Sequence, residues 1–278
     1  MNVGNLGVIA GGHRGNGDTQ APSVDNTQFL ARWVFGDTTT VADPVTNGVS
    51  FVKDLTGNGY DAIQNVNARQ PRMSTVAIGS VRKLEQGNLV PTPNLDMLRT
   101  AEAHTYFSFG IVPWDWIPTD FLYRAFWNRA AELYSDGDWS DDVLNTSVSA
   151  NSEVTRPTTL RTRSDVTSNQ SINRVDLPET LGLPVMIVCQ SIKRAGVFRA
   201  DETTRVITPD GQITETLPRV NAAYYDITID RLVSSGNYFG RQVDNGTDAL
   251  YEVAVSDTIW TDEKILAHYN IVKGDYGL

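Results

Sequence analysis

The sequence predicts an all-β fold: a two-sheet antiparallel sandwich over residues 28–278, closed by one short C-terminal helix and preceded by an extended arm over residues 1–27. Three observations carry this. Short runs of β-branched and aromatic residues recur between clusters of Gly, Asn, Asp and Pro, which is the punctuation of strands and turns. Only one segment has good helix signals at both ends, and it lies at the end of the chain. No internal repeat breaks the pattern, and 40% hydrophobic residues in 278 suffice for one substantial core.

The arm, residues 1–27, is rich in Gly and Asn, and Leu6, Val8 and Ile9 are its apolar anchors. So few anchors cannot offset roughly 1–2 kcal/mol of backbone entropy per ordered residue. The arm is therefore expected to order against a partner, docking through those three side chains. Its glycine spacing does not match a phosphate-binding loop.

Strands are predicted at 29–35, 49–52, 60–64, 106–112, 158–163, 184–192, 203–207, 222–229 and 249–255. The run 183–189 is continuously apolar, as expected of a central strand covered on both faces. Residues 225–232 alternate, which suits one wet face. The segment 121–134 has helix formers but is also aromatic, and reads as strands. The helix is predicted over 261–273. Thr261 suits its N-cap, Asp262 and Glu263 its positive end, and Ile265, Leu266, Tyr269 and Val272 its apolar face.

A net charge of −10 argues against nucleic acid as a partner. No apolar run has the length of a membrane helix, so no insertion is expected. The first residues lack the basic start and apolar block of a secretory signal. Cys189 sits in apolar surroundings and reads as a buried thiol, and the three histidines are scattered.

Three stretches together resemble the concanavalin A-like lectin/glucanase superfamily in its laminin-G-like branch. The first is the aromatic strand 31–36 followed by Asp54-Leu-Thr-Gly-Asn-Gly-Tyr-Asp-Ala62. The second is the apolar strand 183–189, without the Trp and His of that family's central strand. The third is the closing strand around Glu252 with the helix after it. The resemblance implies a jelly roll of two antiparallel sheets. It leaves function open, since the fold hosts lectins, hydrolases and structural modules. Together with the acidic Gly/Asn/Thr-rich composition, the chain is also similar to phage virion proteins.

Retaining glycanases need two carboxylates about 5–5.5 Å apart, and alternate residues of one strand supply such a pair. No Glu-x-Asp-x-(x)-Glu pattern occurs, and Glu252 and Asp257 are five apart and so face opposite sides of a regular strand. Asp54, Asn58 and Asp61 offer hard oxygens around a Gly-rich turn, open to two readings: a calcium site or turn-forming Asx bonds. Four of the six tryptophans, Trp114, Trp116, Trp127 and Trp139, cluster among other aromatics, as a sugar-stacking face or as core and interface. These readings converge on a non-enzymatic virion surface protein, a capsid decoration or tail component. Its expected partners are other virion proteins or its own copies, with a cell-surface glycan as a further ligand. The alternatives are a polysaccharide-cleaving hydrolase or lyase and a free carbohydrate-binding lectin.

Overall fold

The computed structural model describes residues 24–35, 40–73, 81–82, 89–92, 102–111, 123–129, 144–150, 157–163, 172–176, 184–195, 199–215, 219–223 and 249–275. In chain order the strands are β1 (Ala31–Val34), β2 (Thr40–Ala42), β3 (Val49–Val52), β4 (Asp61–Ile63), β5 (Arg72–Met73), β6 (Val81–Arg82), β7 (Val90–Thr92), β8 (Ala103–Ile111) and β9 (Tyr123–Arg129). There follow β10 (Leu144–Ala150), β11 (Pro157–Arg163), β12 (Ile172–Asp176), β13 (Pro184–Lys193), β14 (Arg199–Ile207), β15 (Ile213–Glu215), β16 (Arg219–Ala223), β17 (Ala249–Ser256) and the helix α1 (Asp262–Asp275). The fold is mostly β, every strand pairing among the described residues is antiparallel, and the one α-helix described is the short C-terminal one.

A large sheet runs β15-β14-β13-β8-β17-β6-β5, with β1 added on β17 and β16 on β14. A small sheet runs β2-β3-β4-β7, and the strands β12-β11-β10-β9 form a further four-stranded ladder. The apolar run that predicts a central strand is β13. It lies between β8 and β14 and is buried from Pro184 to Ser191.

Side-chain alternation gives the large sheet two covered faces. Toward the small sheet it presents Tyr106, Ile187, Cys189, Val206 and Val255, which meet Trp33, Val49, Val52, Ala62 and Leu89 in one apolar core. Toward the helix it presents Phe107, Phe109, Met186, Val188 and Ala254, which meet Phe29, Trp260, Ile265, Tyr269 and Val272 in a second. Small sheet, large sheet and helix thus form successive layers, with a β-sandwich as their principal part.

The β17–β8 register slips between Leu250 and Glu252, and this irregularity redirects a charged side chain. A bulge leaves two consecutive side chains on one face. Here Leu250 joins the small-sheet core, Tyr251 joins the helix-side core, and Glu252 faces the helix with it.

The helix begins where predicted. The Thr261 carbonyl accepts the first helical bond from Ile265 N at 2.9 Å, and Asp262 and Glu263 occupy the first turn. Its buried face is Ile265, His268, Tyr269 and Val272, so His268 takes a core position and Leu266 only a half-buried one. At the other end Lys273 Nζ donates to the Pro209 carbonyl at 2.6 Å, tying the last turn to the loop after β14.

The strand reading of 121–134 holds over β9. The tail of the predicted arm differs: Val24 packs on the helix-side core, and Asn26–Gln28 form a short 3-10 turn capped by Asp25. The polar residues there cap and hydrogen-bond locally, so low hydrophobicity at 24–27 does not mean an extended arm. Leu6, Val8 and Ile9 lie outside the described residues, as does the alternating stretch 225–232.

Candidate functional site

Three polar groupings interrupt the two cores. The first joins β1, β17 and α1. Arg32 donates to both oxygens of Glu252, Nε to Oε1 at 3.0 Å and its terminal nitrogen to Oε2 at 2.6 Å. His268 Nε2 lies 3.1 Å from Oε1 of the same carboxylate. A carboxylate offers only acceptors, so Nε2 carries the proton. The remaining guanidinium nitrogen donates to Asn26 Oδ1 at 2.9 Å. Glu252 is 1% exposed and Arg32 7%, and Phe29, Phe107 and Trp260 ring the imidazole.

Burial alone would raise the Glu252 carboxyl. The adjoining Arg32 guanidinium and the His268 contact outweigh it and hold the group down at about 2, against an ordinary value of 4.5. Because the folded value is the lower one, the carboxylate's contribution to stability is complete above about pH 4.5 and is lost as pH falls toward 2. Urea midpoints should therefore fall steadily as pH is lowered through this window, and Glu252→Gln should flatten part of that fall. Identical pH profiles for the two proteins would contradict the assignment. Chemically this is a sealed latch, with every carboxylate oxygen committed to protein donors and no open side for a substrate.

The second grouping is the loop from Asp54 to Asp61. The Asp54 carboxylate accepts from Arg32 N (3.1 Å), Thr56 N (3.0 Å), Thr56 Oγ1 (2.7 Å) and Tyr60 N (3.2 Å). Asp61 Oδ1 accepts from Asp54 N at 2.8 Å, and Asn58 turns its Nδ2 to the Leu30 carbonyl at 2.9 Å. Gly57 and Gly59 take φ of +82° and +85°, which side chains on L residues disfavour, and so let the loop close around the carboxylate. The predicted residues Asp54, Asn58 and Asp61 do come together, and both Asp54 oxygens and Asp61 Oδ1 accept from protein donors. Among the described residues no group of three or more His, Cys, Asp or Glu could hold a metal. The Asx-turn reading accounts for the geometry. Asp54→Ala should cost about 1–3 kcal/mol by stranding buried donors, while millimolar calcium or EDTA should leave the melting temperature unchanged. A calcium-dependent rise in melting temperature would favour the metal reading instead.

The third grouping lies on the small-sheet side of β8 and β13, where the apolar core ends. Ser191 stands directly opposite His104, and Cys189 opposite Tyr106. All four are buried, at 5% exposure or less. Ser191 also stands opposite Glu202 on β14, and Glu202 opposite Arg219 on β16. Register partners share a face of the sheet. One cross-strand row therefore holds a histidine, a serine, a glutamate and an arginine. Next to it along the strands Glu102 is exposed, and Ile192, on the opposite face of the sheet, is 50% exposed.

Of the four tryptophans, Trp127 lies on β9, and Trp114, Trp116 and Trp139 lie outside the described residues. The Arg32–Glu252–His268 latch escapes a reading of the sequence. Its one signal there is a lone Glu inside the apolar closing strand, whose partners are 220 residues upstream and 16 downstream. The cross-strand row escapes it too, because the row exists only through register.

No protein-family model and no curated protein matches the sequence. Among solved structures, Trypanosoma rangeli sialidase in complex with sialic acid aligns with a TM-score of 0.54 at 11% identity, over 96% of this chain and 36% of that chain. The same organism's sialidase in complex with a difluoro-KDN compound gives 0.56 at 11% identity, over 90% and 33%. The botulinum neurotoxin serotype D binding domain gives 0.52 at 9% identity, over 88% and 52%. The chain thus spans about a third of the sialidases and about half of the toxin domain. At such identities the likeness is one of fold, a β-sandwich. It nevertheless corrects the expectation of a non-enzymatic virion surface protein, because the structures that share this fold are sialidases and a toxin binding domain. Acidic, Gly/Asn-rich composition reflects turns and solubility, and carries no information about a virion.

Proposed function

We propose that the chain is a carbohydrate-binding module built on a jelly roll. The observation that supports this reading is the shared fold. About nine-tenths of the chain aligns with sialidases, one of them bound to sialic acid, and with a toxin binding domain. The toxin binding domain among these structures is by its name a binding part. The tryptophans clustered between 114 and 139 add apolar ring faces of the kind sugars stack on.

A second reading, a glycan-cleaving enzyme, draws on the sialidase likeness itself. One experiment separates them. The purified chain is applied to a printed array of sialylated and neutral glycans and, in parallel, incubated with a fluorogenic sialoside and a polysaccharide panel. Saturable binding to a defined glycan without product release is the expected result. Reproducible release of sugar would establish the second reading, and a blank array with no release would overturn both.

A further inference from the structure

We propose that the segment Leu6-Gly-Val-Ile9 of the same chain docks as an added strand along β2, at the edge of the small sheet, where Leu6 and Val8 extend an apolar row on the sheet's outer face.

The row is a product of register. Val41 on β2 pairs with Phe51 on β3, and Phe51 with Ile63 on β4. Register partners share a face of the sheet. The next positions, Val52 and Ala62, also pair with each other, and both lie in the core between the sheets. Side chains alternate along a strand, so Val41, Phe51 and Ile63 point away from that core. An outer face of an antiparallel sheet is ordinarily polar. Here three adjacent strands carry Val, Phe and Ile on it. Exposure rises toward the edge: Phe51 and Ile63 are half-buried, and Val41 is 54% exposed. Phe51 and Ile63 have a strand neighbour on both sides, whereas β2 ends the sheet order among the described residues. The row therefore breaks off at Val41, on the kind of edge that takes up a further strand.

The start of the chain carries the matching pattern. Leu6 and Val8 flank Gly7, so in an extended strand both fall on one side, and residues 1–10 hold no proline to block ladder pairing. Laid beside β2, Leu6 and Val8 become the cross-strand neighbours that Val41 lacks. Reach and tether length favour this chain's own sheet over that of a second copy. Residues 10–23, with glycines at 11, 12, 15 and 17, join the segment to Val24, which packs on the helix-side core. A Gly-rich stretch of this length spans about 20 Å root-mean-square and about 50 Å at full stretch. Stacked sheets lie about 10 Å apart, so Val24 on one side of the large sheet and β2 on the other are separated by on the order of 20 Å across the layers. A tether whose span matches the gap gives the highest effective concentration, millimolar for short ones, and a second copy at micromolar concentration does not compete with it.

The test uses the full, isotope-labelled chain with a nitroxide spin label on Asn2→Cys; Cys189 is 5% exposed and is shielded from the reagent. Amide signals of residues 40–42 and 51 should lose at least half their intensity to paramagnetic broadening. Adding Leu6→Asp and Val8→Asp to the spin-labelled chain should restore them, and both changes fall outside the two cores. In an equal mixture of spin-labelled chain without isotope and isotope-labelled chain without spin label, the same signals should keep their intensity. Full intensity in the doubly labelled chain, or broadening that survives the two aspartates, would overturn the proposal. Broadening of equal size in the mixture would overturn it too, because the docked segment would then belong to a second copy.

Discussion

Replacing Glu252 with alanine should lower stability by about 3–5 kcal/mol, among the largest effects of any single change in this chain. The substitution leaves the Arg32 guanidinium and the His268 N–H buried beneath the helix with no acceptor on β17. A charge left unpaired in such surroundings is far costlier than the net gain from pairing it. For a domain of this size the melting temperature should drop by roughly 10 °C. Glu252→Gln should lose less, because an amide oxygen still accepts from Arg32. A triple change, Arg32→Met with Glu252→Leu and His268→Phe, removes all the buried polar groups together and should recover much of the loss. An alanine variant within about 1 kcal/mol of wild type would mean that the three groups are solvated and the latch does not exist.

Trp33→Ala is the second large effect, with an expected cost of about 3–5 kcal/mol. Trp33 is fully buried in the core between the two sheets. Its Nε1 donates to the Tyr60 carbonyl at 2.7 Å, which ties β1 to the Asp54–Asp61 loop. Truncation removes the ring and opens a cavity that rigid sheets on either side cannot collapse into. Trp33→Phe keeps most of the volume and drops only the hydrogen bond, so a smaller loss, about 1–2 kcal/mol, is expected. Equal losses for the two variants would show that the hydrogen bond, not the packing, holds the loop. Denaturant titration with tryptophan-independent detection measures both.

How much of this is legible in the sequence depends on how local each signal is. The apolar run at 183–189 announces a central strand, because a strand covered on both faces has no wet positions to alternate with. Thr261, Asp262 and Glu263 announce the helix start for the same local reason. His268 looks like a bystander, because a histidine on a helix carries no mark of which way it points. Its burial depends on Phe29, Phe107 and Glu252, all remote from it along the chain. The bulge at Leu250–Glu252 is likewise invisible in one dimension, and it turns Glu252 toward the helix. Asp54, Asn58 and Asp61 are legible as neighbours, but composition does not say whether an Asn presents its oxygen or its nitrogen. Register, which aligns His104, Ser191, Glu202 and Arg219, is a property of strand pairing and has no one-dimensional signature.

Glycan binding by this chain is tested most directly by amide chemical-shift mapping of the isotope-labelled chain with the glycan identified on the array. Saturable perturbations confined to one contiguous set of residues are expected. Perturbations spread evenly over the chain, or none at saturating glycan, would contradict it.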